Sequence, residues 1–163
     1  MPIAEGLLPE FDHEMATTRR VLDRVPDAKL SWKPHDKSMS FAELATHLAR
    51  IPFWCTATLS GSSLDLATME RPKPDSSRAD VLKGYDERVA QARAMLAQAT
   101  DSELLSPWTL KHGDQVFFTM PKISVLRSFV MNHSIHHRAQ LSVYLRLNDI
   151  PVPAIYGPTA DEQ

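Results

Sequence analysis

Four segments of the chain repeat apolar residues every three or four positions, which is the spacing of the buried face of a helix. In chain order they are residues 4–25, a segment that begins at residue 40 and is kinked or shortened by Pro52, residues 78–99 and residues 121–148. Polar and proline-containing connections separate these segments. The pattern predicts an all-α fold, a four-helix bundle in one domain that spans residues 1–163.

Local signals mark the start of the second helix and the nature of two connections. Ser40 and Glu43 supply the Ser-x-x-Glu pattern of a capping box. Residues 61–77 are rich in serine, proline and aspartate without periodicity, so we expect a surface connection there. Residues 108–111 and 116–119 flank a His-Gly-Asp turn, which predicts a short β-hairpin before the last helix.

Polar side chains interrupt the inward stripe of the last predicted helix. The members of this stripe are Ile123, Leu126, Val130, His133, His137, Gln140 and Tyr144. His133 and His137 are four residues apart, which places them about one turn apart on the same face. His47 in the second predicted helix lies beside Leu44 and Leu48 and therefore also faces the core. Three imidazoles are thus expected to meet between these two helices.

A single inward histidine is more often a hydrogen-bonded core residue than a metal ligand. Three without partners would each cost about 1–3 kcal/mol in unmet polar groups, whereas one divalent cation uses a lone pair from each. We therefore predict that His47, His133 and His137 hold a divalent metal ion. The remaining histidines are expected to be solvated or structural: His13, His35, His112 and His136.

Two features limit the chemistry of such a site. A zinc-protease helix carries His-Glu-x-x-His, but Ser134 follows His133 here, so that mechanism is excluded. Three imidazole ligands leave coordination positions open, as in catalytic rather than structural zinc sites. The exchangeable ligand is either a water or a small thiol, and the sequence does not choose between them. Cys55 lies beyond Pro52, on another side of the helix, and is expected to be a small apolar residue rather than a nucleophile.

Composition excludes several other classes of protein. Eighteen basic and 20 acidic residues give a formal charge of -2, which argues against a general nucleic-acid binder. The apolar runs are far shorter than the roughly 20 residues that cross a bilayer, so no membrane association is expected. One cysteine cannot form an internal disulfide, and no signal-like segment opens the chain. We expect a cytoplasmic protein.

The order of these residues resembles the DinB family. One histidine in the second predicted helix is followed, in the last, by His133-x-x-x-His137-Arg138-x-Gln140. The match extends to the Trp-Lys-Pro-His segment at residues 32–35, the helix start at residues 41–44 and the closing tail at residues 152–158. The resemblance therefore covers nearly the whole chain.

This resemblance implies a four-helix bundle that is usually a homodimer, with His47, His133 and His137 as ligands of zinc, nickel or a related divalent ion. It also connects the fold to transferases and isomerases that use low-molecular-weight thiols and act on electrophilic small molecules. Arg138 and Gln140 match the family pattern as neighbours of the site. Arg138 could pair with a carboxylate at the dimer surface, and Gln140 could orient a ligand histidine.

Three functional hypotheses remain. The first is a metal-dependent enzyme of the thiol S-transferase or detoxification type. The second is a metal-binding or stress-response protein without turnover, which would have no pocket for an organic substrate beside the metal. The third is a metal-dependent hydrolase, which needs an acidic residue near the ion, and the sequence offers none at helical spacing from His133 or His137.

Overall fold

The computed structural model describes residues 1–70 and 72–162. In this part of the chain the helices are α1 (Ile3–Leu22), α2 (Phe41–Arg50), α3 (Phe53–Ser60), α4 (Arg78–Gln98), α5 (Asp101–Leu105), α6 (Lys122–Val125) and α7 (His133–Leu147), and the strands are β1 (Ser63–Asp65), β2 (Pro107–His112) and β3 (Gln115–Pro121). A π-helical segment, Leu126–Asn132, joins α6 to α7. No helix among these residues combines the length and the apolar character needed to cross a membrane.

The long helices surround one hydrophobic core. Helix α1 packs against α4 and α7, and α2 packs against the same two helices, while α3 contacts α4 and the π-helical segment. Each long helix contributes fully or almost fully buried apolar side chains to the centre, for example Phe11, Leu44, Tyr85 and Leu141. The predicted helical periodicity is therefore confirmed as the pattern that builds the core.

The start and the end of α2 agree with the sequence signals. The hydroxyl of Ser40 accepts a hydrogen bond from the backbone N–H of Glu43, and the Glu43 carboxylate accepts one from the backbone N–H of Ser40. Helix α2 ends at Arg50, and a new helix begins after Pro52. The capping box and the predicted break at Pro52 are both confirmed.

A small three-stranded sheet makes the predicted all-α class wrong in part. Strand β2 pairs antiparallel with β3, so the predicted hairpin is confirmed. Strand β1 pairs parallel with β2 and lies within residues 61–77, where only a surface connection was expected. Three residues are too few to display the alternation of a strand, so β1 depends on its long-range partner. Its Asp65 carboxylate accepts a hydrogen bond from the N–H of Gly113, whose φ of 57° favours glycine in the hairpin turn.

The first and last predicted helices differ from the structure in detail. Helix α1 ends at Leu22, three residues earlier than predicted, because the chain turns before Pro26 while Val25 stays buried. The last predicted helix is continuous from α6 to α7, but its middle is π-helical. A π-helical turn contains more residues than an α-helical turn, so it changes the side on which the following residues lie.

Candidate metal centre

Three histidines from two helices bring the same ring atom to one point. The Nε2 atoms lie 3.2 Å apart for His47 and His133, 3.0 Å for His47 and His137, and 2.8 Å for His133 and His137. His47 belongs to α2, whereas His133 and His137 occupy the first two turns of α7. The sequence-predicted trio is therefore brought together, and it is a group that could hold a metal ion.

Local structure explains how α2 presents His47 and how α7 presents His133 and His137. The capping box fixes the start of α2, so His47 lies on the inner side of the helix between the buried residues Leu44 and Leu48. The π-helical segment ends directly before His133 and sets the rotation of α7. No pattern in the sequence indicates the π-helical segment, since its apolar spacing is that of an ordinary helix.

The surroundings favour neutral imidazoles. Burial lowers the pKa of His137 to about 4, although its hydrogen bond to Gln140 opposes this effect. Burial also lowers the pKa of His47 and of His133, and the charge of neighbouring histidines adds to the effect on His133. A neutral imidazole keeps the lone pair that a metal ligand needs.

Hydrogen bonds alone cannot satisfy the three Nε2 atoms. In a neutral imidazole each ring nitrogen is either a donor or an acceptor. Donors and acceptors cannot alternate around a triangle, so at least one pair must direct two protons or two lone pairs at each other. A cation that faces all three lone pairs removes this conflict. Two nitrogens bound at about 2.1 Å to neighbouring positions of one ion lie about 3.0–3.4 Å apart, close to the observed triangle. The residues present therefore fit a divalent ion.

Gln140 and Arg138 have different surroundings. The Nδ1–H of His137 donates to the amide oxygen of Gln140, 2.7 Å away, which leaves the His137 Nε2 lone pair facing the other two histidines. Arg138 is 1% exposed and pairs with the Glu14 carboxylate at 2.7 Å. Arg138 therefore pairs with a carboxylate of its own chain, whereas the sequence had suggested only that it could pair with one at a dimer surface.

The other candidate groups lie outside the trio. His13, His35, His112 and His136 are all exposed, in agreement with the solvated or structural role expected for them. The ring of His136 lies next to that of His137, with centroids 4.7 Å apart. Cys55 is buried, which raises the pKa of its thiol to about 12, and its sulfur lies 3.7 Å from the carbonyl oxygen of Ala92. Such a thiol is a core side chain and a poor nucleophile at neutral pH.

A cavity of about 530 Å³ opens beside His47. This volume is in the range of small-molecule sites. Its apolar wall consists of Met39, Phe53, Trp54, Met69, Pro72 and Pro74. Its polar side chains come from one helix, α2, and include Glu43 and Arg50 as well as His47. The sequence contains a signal for this grouping. His47 lies four residues after Glu43 and three before Arg50, which is the spacing of side chains that share one helix face.

Fold and site define a mostly helical protein with a three-histidine group suited to a metal ion and an adjoining cavity. The family model of the DinB superfamily matches residues 10–141, and the chain belongs to that superfamily. The sequence is 24% identical over 158 residues to the uncharacterized protein YrdA of Bacillus subtilis (strain 168), covering 97% of this chain and 90% of that protein.

Two solved structures share the fold. A DinB-like protein from Bacillus cereus ATCC 10987 superposes with a TM-score of 0.75 at 22% identity, covering 95% of this chain and 98% of that one. The DinB-like protein YjoA from Bacillus subtilis superposes with a TM-score of 0.70 at 18% identity, covering 97% and 99%. At these identities the likeness concerns the fold.

Proposed function

We propose that this protein is a metal-dependent enzyme of the thiol S-transferase or detoxification type. His47, His133 and His137 hold one divalent ion, zinc or nickel, and the substrates are a low-molecular-weight thiol and an electrophilic small molecule. The observation that carries the proposal is the triangle of Nε2 atoms at 2.8–3.2 Å beside a cavity of about 530 Å³.

The donor set supports an enzyme rather than a closed structural site. Three neutral imidazole ligands would leave coordination positions open for an exchangeable group, and an ion held by these histidines would lower the pKa of a thiol or water at such a position. In the proposed reaction a carbon–sulfur bond forms, the leaving group departs with its electron pair, and the thiol proton passes to solvent. The cavity favours this hypothesis over a non-catalytic metal-binding or stress-response protein, which needs no room for an organic substrate.

The residues of the chain have separate tasks in this proposal. Gln140 fixes the tautomer and orientation of His137 through the bond at 2.7 Å. The apolar wall, which includes Phe53 and Trp54, excludes water from the electrophile. We further propose that the scaffold is a four-helix bundle of α1, α2–α3, α4 and α6–α7, assembled as a homodimer. The contacts of both α1 and α2 with α4 and α7 support the bundle.

Glu43 favours a metal-dependent hydrolase as the second candidate. It lines the same cavity one turn before His47, which is where an acid needed by the hydrolase hypothesis could act. The hydrogen bonds from Ser40 hold the pKa of the Glu43 carboxyl below its usual value, so this carboxylate is ionised at neutral pH. Because this carboxylate already accepts a hydrogen bond from the N–H of Ser40 in the capping box, Glu43 is a weaker candidate for a general base.

Cobalt-substituted protein provides the test. Metal analysis of purified protein is expected to find about one divalent ion per chain. Addition of a cellular thiol such as glutathione or cysteine is expected to produce thiolate-to-cobalt absorption, because thiolates bind such ions directly. The same thiol should accelerate loss of an electrophile such as 1-chloro-2,4-dinitrobenzene above the rate without enzyme.

The outcomes separate the candidates. A protein that binds cobalt but shows no spectral change and no rate increase with any of several thiols is not a thiol transferase. If that protein instead hydrolyses esters in a Glu43-dependent manner, the hydrolase is supported. Metal binding without either activity identifies a binding protein, and absence of metal binding rejects all three hypotheses.

A further inference from the structure

Arg50 is a cationic side chain that lines the cavity. It lines the cavity with His47, yet among residues 1–70 and 72–162 it takes part in none of the ion pairs. The acidic side chain that shares the cavity, Glu43, lies seven residues earlier, about 10 Å along the helix axis. Its carboxylate is bound to the N–H of Ser40 at 2.7 Å. The charge of Arg50 is therefore available to a ligand.

A second guanidinium increases the positive potential at this end of the cavity. Nη1 of Arg88 donates to the carbonyl oxygen of Ala49, the residue before Arg50, at 3.3 Å. Burial and then the charge of Arg50 lower the pKa of Arg88, while Asp75 and Glu87 oppose this effect more weakly. Within residues 1–70 and 72–162 neither guanidinium forms an ion pair with a carboxylate, and two neighbouring groups of this kind favour an anion.

Gly84 makes room for this arrangement. It lies inside α4, where glycine costs about 1 kcal/mol relative to alanine. A Cβ atom at this position would lie 2.7 Å from Nη1 of Arg88, so a larger residue would displace the guanidinium. The backbone of Gly84 therefore lies against the guanidinium of Arg88, which contacts the end of α2.

We infer that the cavity takes an organic anion, with an apolar body against Phe53 and Trp54 and a carboxylate or phosphate head on Arg50. Arg88 supports the positive potential without lining the cavity. This inference rests on the proposed function, for which it defines the substrate class: one of the two substrates carries an anionic head. A guanidinium binds either a carboxylate or a phosphate through two parallel hydrogen bonds.

Matched probes test the anionic head in chelator-treated protein, in which no metal can bind the probe directly. The probes are 3-phenylpropionate, its neutral analogue 3-phenylpropanamide, and 2-phenylethyl phosphate. Trp54 lines the cavity, so tryptophan fluorescence reports occupancy. We expect the wild-type protein to bind the two anions about tenfold more tightly than the amide, which is the effect of one charge-assisted hydrogen-bonded pair.

Three variants locate the source of the preference. Arg50→Gln should reduce the preference to less than about threefold, and Arg50→Lys, which keeps the charge, should retain part of it. Arg20→Gln removes the same charge from an exposed position on α1 and should leave the preference unchanged. Circular dichroism verifies that each variant is folded. A folded Arg50→Gln protein with the full preference overturns the inference, as does a wild-type protein that binds the amide equally well.

The failure of this inference and that of the proposed function are distinguishable. Zinc content is measured on the same variants, and Arg50→Gln should bind as much zinc as the wild type because Arg50 is not in the histidine trio. Normal zinc binding without anion preference rejects only the substrate class. Anion preference without zinc binding rejects the metal enzyme and keeps the anion site.

Discussion

Glu14 and Arg138 form a buried ion pair between helices that are far apart in the sequence. Oε2 of Glu14 lies 2.7 Å from Nη2 of Arg138, and the side chains are 7% and 1% exposed. The hydroxyl of Tyr156 accepts from Arg138 and donates to the Glu14 carboxylate. Because Arg138 directly follows His137, this pair fixes α7 against α1 beside the candidate metal centre.

Loss of the buried carboxylate is expected to destabilise the protein strongly. Glu14→Gln should lower the free energy of unfolding by about 3–5 kcal/mol, because the Arg138 charge would remain buried without a counterion. Asp12→Asn is the matched control, since Asp12 pairs with Arg93 on the surface, where the side chains are 42% and 50% exposed. That change should cost less than about 1 kcal/mol. Urea unfolding measures both values, and equal losses would contradict the prediction.

Each histidine of the trio is expected to be necessary for metal binding. His47→Ala, His133→Ala and His137→Ala should each reduce bound zinc from about one ion per chain to a small fraction, because two imidazoles hold the ion much less tightly. His136→Ala is the control, since His136 is exposed and next to His137 but outside the trio. Elemental analysis after dialysis measures zinc. Unchanged zinc in the three folded variants would show that the site lies elsewhere.

Gln140 is expected to tune the affinity of the same site. Gln140→Ala removes the acceptor for the Nδ1–H of His137 and should weaken zinc binding about 10- to 100-fold. Gln140→Glu keeps an acceptor and should preserve tight binding. Gln91→Ala on the exposed face of α4 serves as the control. Competition with a chromogenic chelator gives the affinities, and identical values for Gln140→Ala and Gln91→Ala would remove this role.

The metal-free protein is expected to lose stability as the pH falls from about 6.5 to 4. The pKa of His137 is about 4 in the folded chain against an ordinary value of 6.5, so over this window the unfolded chain binds a proton that the folded chain does not. The lowered pKa values of His47 and His133 act in the same direction. Arg146 lowers the pKa of Asp161, and this shift changes the free energy of unfolding only near and below the ordinary aspartate pKa of 3.8.

Thermal unfolding of chelator-treated protein between pH 8 and 4 measures this dependence. His137→Asn should flatten part of the decline, since asparagine does not titrate. Zinc should raise the unfolding temperature at pH 7 and lose this effect in acid, as protons compete for the ligands. A melting temperature that stays constant from pH 7 to 5 in the metal-free protein would contradict the prediction.

A homodimer is the expected assembly. Val143 and Leu147 lie one turn apart on α7 and are 57% and 59% exposed, so an apolar flank is available for a second copy. Light scattering at micromolar concentration should give about twice the 18.3 kDa mass of the chain. A monomer mass across this range would reject the dimer but not the metal centre, whose three histidines come from one chain.

The helices were predictable from the sequence because their signals are local. Apolar spacing locates the four long segments, and the Ser40–Glu43 box acts within one turn. The inward direction of His47, His133 and His137 follows from the same spacing, because a residue shares a helix face with its neighbours three and four positions away. The resemblance to the DinB family pointed to the same three residues.

Other features needed the tertiary structure. Strand β1 exists through its pairing with β2, and Arg138 finds its carboxylate on α1 rather than at a dimer surface. The cavity that Arg50 lines exists only because α3 and the chain around residues 69–74 supply its other walls. The burial of Arg138 has no local signal in the sequence. Apolar spacing did predict that the core side chains and the three histidines face inward, because positions three and four apart share a helix face. The fold alone decided which of them meet, since distances between remote segments depend on how helices and strands pack.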